Sequence, residues 1–486
     1  MKPSTGASAV APLAALLVLV ITTTASAQDW PQWRGPNRDG KTTGFKAPAT
    51  WPAALNKKWD VVIGSGVSNP SLVGDRLYVI TREGENEVVR CLNAATNQEV
   101  WKDSYPSDVP TGAGAGGGRF IGPRATPTVV SGSVITLGAN GMLSCYDAAT
   151  GQLKWRKVEF VGKVPGFYAS SSPIVVDGLC IAQLGAGGGE GARPGDTELG
   201  AMIAYDLTTG DEKWQAKEGS PSYASPVLMT VDGMKVVFTL SETQIVGVNA
   251  ANGKAVWKLP LRQYRYNSCS PVIDGQTLIF AGPGTNGLTA LKLSKQGEEL
   301  KEEAAWTHND NLLIFNTPVL RDGSLFGYNT RDQIFAVKAD RTTGWATPIV
   351  PLPAAATGLL VPTDIQTAFA QPQPQEAKAQ EGERAGGEAA RGQEQRRGRG
   401  QRRGRGARPA GGGERPGYGS VVDAGSVMFA LCPAGELVVF APNAETYTEL
   451  ARYKVSEDGD VYSHPIISGN RIYIKDRDSV ALFTVE

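Results

Sequence analysis

Short apolar runs alternate with polar, glycine-containing turns along most of this chain, and the alternation repeats. Three stretches align directly, each with Ser or Thr before Pro, then a β-branched run and a Gly turn: 125–132, 171–178 and 224–233. Related openings occur where Pro follows Asn69, Ser270, Thr317 and His464. Short β-branched runs between turn residues predict β-strands rather than helices.

A second motif, Asp/Asn-x-x-Thr-Gly-x-x-x-Trp, ends each repeat and has its closest copies at 147–155 and 206–214. Its Gly suits a turn that needs a positive φ, and its Trp is expected to start an outer strand and pack against a neighbouring repeat. We interpret the repeat tryptophans as structural rather than ligand-stacking: Trp59, Trp101, Trp155, Trp214, Trp257 and Trp306. Their spacing of 42 to 59 residues is typical of β-propeller blades with four strands each.

The number of blades follows from the length of the chain, which is 486 residues. Without a leader and a low-complexity stretch, the remaining length and the Trp spacing predict an all-β fold, an eight-bladed β-propeller of four-stranded antiparallel blades. A strand around Trp59 precedes the first blade and has no blade of its own, whereas the last blade lacks a terminal Trp. We therefore expect this N-terminal strand to complete the last blade and close the ring.

The chain begins with an apolar run, Val10–Ile21, which is too short to span a bilayer, and continues to a small-residue cleavage sequence at Ala25–Ala27. This predicts export to the periplasm or the extracellular space, with no transmembrane segment. The predicted organisation is a signal peptide (1–27), an N-terminal extension (28–50), blades 1–6 with the closing strand (51–369), a disordered Arg/Gly-rich insertion (370–417) and blades 7–8 (418–486).

The cysteines and charges exclude several classes of function. Five cysteines leave at least one thiol unpaired, and Cys91 and Cys145 occupy equivalent positions in adjacent blades, too far apart for a disulfide. With 48 basic and 48 acidic residues and two histidines, the composition favours neither a nucleic-acid partner nor a His-rich metal site. Seven arginines at 396–408 lack interleaved aromatic residues, so we expect that tract to contact an anionic surface such as lipid or polysaccharide rather than RNA.

The candidate site lies at one mouth of the central channel, because the residues just before each innermost strand must rim it. These residues are Arg124, Tyr168, Tyr223, Asn267, Asn316, Tyr462 and His464, and a turn on the same face adds Arg331. Converging Arg, Asn and Tyr side chains suit a carboxylate-bearing or peptide ligand, with the two arginines as anion anchors. The alternative interpretation is that these side chains cap strand ends and fill the mouth. No catalytic or metal-ligating residue is predicted.

The repeat resembles that of pyrroloquinoline quinone (PQQ) propellers, a superfamily with PQQ-dependent alcohol dehydrogenases and the non-catalytic propeller of the outer-membrane assembly machinery. The stretch Asp29–Asn37 resembles the opening of a group of secreted bacterial PQQ-like propellers. The dehydrogenases resemble one another in a vicinal cysteine pair and in Glu, Asn and Asp ligands of Ca²⁺, neither of which this sequence matches. We therefore expect a binding or scaffold protein with a protein or small anionic ligand at the mouth. The alternative is an alcohol or sugar dehydrogenase that would hold PQQ with Ca²⁺.

Overall fold

The chain forms a closed ring of small sheets. The computed structural model describes residues 28–108, 122–186, 200–261, 267–282, 287–349, 418–457 and 461–485. These residues form 32 strands in eight antiparallel sheets of four, which confirms the eight-bladed β-propeller. Among them there is no helix, and hence none long and apolar enough to cross a membrane. The chain divides into two compact units, Met1–Pro351 with Pro416–Glu486, and Leu352–Arg415, the second of which lies outside the described residues.

The strands follow one another from the inner to the outer edge of each blade. The chain starts with β1 (Asn56–Val62), followed by blade 1, β2–β5 (Ser71–Val73, Arg76–Glu83, Asn86–Asn93, Glu99–Pro106), and blade 2, β6–β9 (Thr128–Val130, Ser133–Leu137, Leu143–Asp147, Leu153–Lys157). Next come blade 3, β10–β13 (Ile174–Val176, Leu179–Gly185, Gly200–Asp206, Glu212–Ala216), and blade 4, β14–β17 (Val227–Val231, Met234–Leu240, Gln244–Asn249, Ala255–Pro260).

The second half continues the same order. It comprises blade 5, β18–β21 (Val272–Asp274, Thr277–Gly282, Gly287–Gln296, Glu299–His308), and blade 6, β22–β25 (Val319–Arg321, Ser324–Tyr328, Gln333–Val337, Thr343–Pro348). Blade 7 is β26–β29 (Ser420–Asp423, Met428–Cys432, Glu436–Phe440, Glu449–Lys454), and blade 8 contains β30–β32 (Ile466–Ser468, Arg471–Lys475, Ser479–Thr484). The outer strand of blade 8 is β1, which pairs antiparallel with β32 and so joins the N-terminal strand to the C-terminal blade.

The outer interfaces between blades are built from the repeated tryptophans. In blades 1 to 3, the indole N–H of Trp101, Trp155 or Trp214 donates to a main-chain carbonyl of the next blade at 2.9–3.1 Å. Each ring also lies against the glycine of that blade's turn: a Cβ on Gly210 would stand 2.7 Å from Cγ of Trp155. The sequence analysis missed Trp345, whose indole N–H donates to the Asn443 carbonyl of blade 7 (2.8 Å). These rings join blades 1, 2, 3 and 6 each to the following blade.

The inner interfaces are built from the residue before the repeated Pro. The main-chain N–H of this residue donates to the hydroxyl of its counterpart in the next blade, as from Ser172 to Ser225 (3.0 Å) and from Ser225 to Ser270 (2.8 Å). The same bond links Thr126 to Ser172 and Ser270 to Thr317. We call this series the hydroxyl belt. It explains why a small hydroxyl residue recurs before Pro.

The two faces of the ring differ. First-to-second and third-to-fourth turns lie on one face, the turn face. Second-to-third turns and the connections between blades lie on the other, which we call the mouth face. All five cysteines are buried free thiols, which confirms that Cys91 and Cys145 are unpaired. The predicted signal peptide (1–27) and the predicted insertion (370–417) lie outside the described residues and stay predictions.

Candidate functional site

Two of the predicted rim residues meet on the mouth face. Arg124 precedes blade 2, and its guanidinium carbon lies 5.4 Å from the centroid of the Tyr168 ring, which precedes blade 3. Tyr168 has a φ of 69°, a left-handed conformation that costs a residue other than glycine about 1–3 kcal/mol. Burial raises the pKa of its hydroxyl. The structure therefore places a cation on an aromatic ring at the mouth.

Further aromatic side chains gather on two sides of the mouth. Tyr418 stacks on Phe315 with ring centroids 4.1 Å apart and contacts Tyr462 at 4.7 Å, across blades 6, 7 and 8. Ahead of blades 3 and 4, the rings of Phe167 and Tyr223 lie 6.1 Å apart, and the Phe167 N–H donates to the Tyr223 hydroxyl (3.1 Å). All five are partly exposed. They give the mouth apolar faces that a ligand can contact.

Three of these aromatic residues were not predicted from the sequence: Phe167, Phe315 and Tyr418. A signal was present for Phe315, which stands three positions before the repeated Pro, as do Tyr223 and Tyr462. A fixed offset from that Pro therefore finds side chains that point into the same region of each blade.

The remaining predicted residues play different parts. Asn267 and Asn316 are buried, and their amides donate to main-chain carbonyls: Asn267 to Ser241 (2.8 Å), and Asn316 to Tyr328. These two asparagines hold neighbouring loops. Arg331 is exposed, and its guanidinium donates to the Asp310 carbonyl (2.9 Å). Of the two predicted anion anchors, Arg331 is the more accessible.

The opposite end of the channel holds residues 28–42 of the chain itself, which we call the axial segment. Trp30 forms a main-chain bridge with Leu72 of β2, with N–H to O distances of 2.7 and 2.9 Å. Because β2 pairs with β3 on its other edge, this bridge lies on the edge that faces the axis. In blade 7, the N–H of Thr42 donates to the Asp423 carbonyl (2.8 Å). The sequence analysis assigned no role to these residues, although two tryptophans outside the repeat signal a buried segment.

Two buried arginines extend from the axial segment towards the mouth. Arg34 donates to the carbonyls of Thr317 and Pro318 in blade 6, the latter at 2.8 Å. Arg38 donates to carbonyls before the inner strands of blades 3 and 4: Ser172 (3.2 Å), Pro173 and Pro226 (2.9 Å). Burial lowers the pKa of Arg34 to about 10 and that of Arg38 to about 9, so both guanidinium groups are protonated at neutral pH.

Trp33 and His464 form the floor of the mouth. Their rings meet edge to face with centroids 6.2 Å apart, and Trp33 is partly exposed. The main-chain N–H of His464 donates to Asn69 Oδ1 (2.6 Å), while its buried Nε2 has no hydrogen-bond partner among the described residues. Burial, and then the charge of Arg34, lowers the pKa of His464 to about 3, so its imidazole is neutral at pH 7. The axial segment thus separates the mouth from the turn face.

The resemblance to quinoproteins implies PQQ with Ca²⁺, and the described residues do not fit that pair. Among them, no group of three or more His, Cys, Asp or Glu side chains is arranged to hold a metal ion. The five cysteines are separate buried thiols. The axis carries Trp33, Arg34 and Arg38, which leave the channel filled with protein. Both the donor set and the filled axis disagree with a bound quinone.

Comparison with known proteins identifies related propellers. The family described as outer membrane protein assembly factor BamB matches residues 33–199 and 85–346. BamB of Burkholderia pseudomallei (strain K96243) is 24% identical over 276 residues, 49% of this chain and 67% of that protein. BamB of Moranella endobia is 22% identical over 231 residues, 46% of this chain, and the match spans only 52% of that protein. A quinohemoprotein alcohol dehydrogenase of Comamonas testosteroni is 28% identical over 158 residues, 32% of this chain and 20% of that enzyme.

Solved structures share the fold. BamB from Moraxella catarrhalis superposes with a TM-score of 0.55 at 11% identity, covering 89% of this chain and 98% of that one. The quinohemoprotein alcohol dehydrogenase from Comamonas testosteroni gives a TM-score of 0.58 at 13% identity, covering 94% and 80%. Identities this low show a common fold and nothing about activity. On the family match, which extends over more than half of its residues, the chain belongs to the family described as outer membrane protein assembly factor BamB.

Proposed function

We propose that this protein is an exported binding module that docks a partner at its mouth face and acts as a scaffold. The observation that carries this proposal is the asymmetry of the channel. One end is filled by the axial segment, whereas the mouth presents partly exposed aromatic rings beside Arg124 and the exposed Arg331. Aromatic and Arg side chains are the residue types that contribute most to binding in protein interfaces.

The relatives support a role in assembling other proteins. Those of Burkholderia pseudomallei and Moranella endobia are named outer membrane protein assembly factors. We infer that this chain also works after export, in the periplasm or outside the cell, and the cleavage sequence at Ala25–Ala27 supports this. Contact of residues 396–408 with an anionic surface stays a prediction, and that tract lies outside the described residues.

The chemistry of the mouth favours an acidic peptide. Arg124 and Arg331 can each bind a carboxylate through two parallel N–H donors, which a lysine cannot do. The rings of Tyr418 and Tyr462 offer apolar faces next to hydroxyl groups, which suit peptide side chains and main chain alike. A partner segment with acidic and apolar residues would use both.

The test is a selection of displayed random peptides on the full chain, followed by titration of the selected peptide. Replacing both Arg124 and Arg331 with Ala should weaken its Kd at least about tenfold, because each arginine contributes a charge-assisted hydrogen bond. The matched control is Lys213→Ala with Lys254→Ala, which removes two exposed cations next to the turn face.

We expect the control variant to bind as the parent does and both variants to keep the melting temperature of the parent. An unchanged Kd in the arginine variant would contradict the assigned site. Failure to select any peptide that binds the mouth would contradict the function.

The dehydrogenase alternative has a separate test. The full chain is mixed with PQQ and Ca²⁺, and its absorbance spectrum and dye reduction with an alcohol or sugar are recorded. A bound-quinone spectrum with turnover would replace the binding proposal with the enzymatic one.

A further inference from the structure

We propose that the axial channel is itself a peptide-binding site, occupied by the chain's own axial segment, and that its ligand class is a turn-containing peptide with two arginines four residues apart. This inference does not depend on the mouth proposal, because it involves neither Arg124 nor Arg331 nor the aromatic rings of the mouth. Its starting point is that, among the described residues, one short segment bonds to seven of the eight blades.

Near its two ends the main chain of the axial segment is bound as an added strand would be, whereas residues 32–40 between these ends form turns and bends, with φ of 59° at Arg34 and 58° at Arg38. Trp30 exchanges two N–H to O bonds with Leu72 on the free edge of β2. The Pro31 carbonyl accepts from Val129 N–H in blade 2 (2.8 Å), and Lys41 forms a parallel bridge with Asp423 in blade 7. Addition of a peptide to an exposed strand edge is a common mode of peptide recognition, in which main-chain bonds supply affinity. In this propeller the inner edges of several blades supply that edge together.

Side chains supply the specificity. The guanidinium groups of Arg34 and Arg38 bond to carbonyls just before the repeated inner strands, in blades 6, 3 and 4. A planar guanidinium can donate to several carbonyls at once, whereas the ammonium group of lysine lacks that fork. Trp30 is fully buried in the core cluster with Leu72. Its indole packs against Gly35, where an added Cβ would stand 3.2 Å from the indole. The spacing of these anchors defines the peptide that the channel accepts.

The axial segment is joined to the ring by a surface link. Phe45 is the last anchor, buried against Phe429 with ring centroids 5.1 Å apart. Residues 46–50 that follow are exposed or partly exposed, and β1 begins only at Asn56. The ligand and its receptor can therefore be separated by cutting this link, without touching a contact of the channel.

The experiment inserts a specific protease site after Ala47 in the full chain and cleaves the folded protein. Retention of the fragment is followed by size-exclusion chromatography and mass spectrometry. A fluorescent synthetic peptide of residues 28–47 is then added in excess to measure exchange and Kd. Because the substitutions of the exchange experiment are made in the synthetic peptide, the ring that binds it keeps its native sequence.

We expect the cleaved fragment to stay bound and to exchange with the synthetic peptide. Peptides with Arg34→Ala or Arg38→Ala should bind at least about tenfold more weakly, and Arg38→Lys should show a loss of similar size. The matched control is Lys46→Ala, which removes an exposed cation from the same peptide and should change Kd less than about twofold.

Two results would overturn the proposal. One is release of the native fragment on cleavage while the melting temperature of the ring is unchanged. The other is equal binding of the arginine variants and the parent peptide. If the native fragment stays bound without exchange, the cleaved full chain carrying Arg34→Ala and Arg38→Ala decides: equal retention overturns the role of the arginines, and release supports it.

Discussion

The wall of the ring, which consists of the eight blades, is held together by residues of the repeat. Its axis, which is occupied by the axial segment, is held by residues outside the repeat. In the wall the same contact recurs from blade to blade, because the repeat supplies the same residue at the same place, as with Trp155 on Gly210. On the axis each donor occurs once, although the accepting carbonyls belong to the repeat: Arg34 bonds to blade 6, while Arg38 bonds to blades 3 and 4. The repeat therefore determines how neighbouring blades join, whereas the centre is filled by residues outside the repeat.

The largest effect is expected when the axial segment and the closing strand β1 are removed together. Deleting residues 28–62 takes away β1 and every contact of the axial segment, so blade 8 is left with three strands and an exposed edge. We expect loss of cooperative thermal unfolding, or a fall in melting temperature of at least about 10 °C. The measurement is calorimetry, with a chain beginning at Gln28 as the control. An unchanged melting temperature would show that the wall alone holds the ring.

A second prediction concerns one joint of the wall. Gly210 and Gly178 both lie in turns of blade 3, with φ of 76° and 79°. Alanine at either position pays for the left-handed conformation, about 1–2 kcal/mol. Only at Gly210 would the new Cβ also meet the Trp155 ring, since nothing lies within 4 Å of Gly178. Gly210→Ala should therefore lower the free energy of unfolding by about 3–4 kcal/mol and Gly178→Ala by about 1–2 kcal/mol. Equal losses of unfolding free energy in urea titrations would show that the Trp155 indole does not pack on the turn at Gly210.

The repeated contacts of the blades could be predicted from the sequence, whereas the unrepeated contacts of the axial segment could not. Blade number, strand order and the strand around Trp59 could be predicted because turns, β-branched runs and tryptophans are local signals that the repeat multiplies. The axial contacts could not be predicted. Arg34 bonds to a main-chain carbonyl 283 positions away, and because every residue has such a carbonyl, the sequence does not indicate which one accepts. An acceptor of that kind leaves no mark in the sequence. The rim was predicted in part, because side chains at a fixed offset from Pro reach the mouth, whereas Tyr418 follows no such rule.

The next prediction concerns the hydroxyl belt, which joins neighbouring blades at their inner edges. Ser225→Ala would leave the buried N–H of Ser172 without its acceptor, at a cost of about 2 kcal/mol. The matched control is Ser171→Ala, because the buried hydroxyl of Ser171 has no partner among the described residues. We expect no measurable change in the control. If chemical denaturation gives the same free energy for both variants, the belt does not stabilise the ring.

The smallest effect is expected where the wall and the axis meet, at His464 against Trp33. Its pKa is lowered from 6.5 to about 3, so the unfolded chain binds a proton that the folded ring excludes. Stability is therefore complete above pH 6.5 and is lost as the pH falls towards 3. Between pH 7.5 and 6.0 the free energy of unfolding should fall by about 1 kcal/mol more in the parent than in His464→Gln, which cannot titrate. This range lies above the ordinary carboxyl pKa values, so Asp and Glu contribute little to the difference. Parallel pH profiles of the two proteins would mean that water reaches the imidazole and that the axial segment does not seal the floor of the mouth.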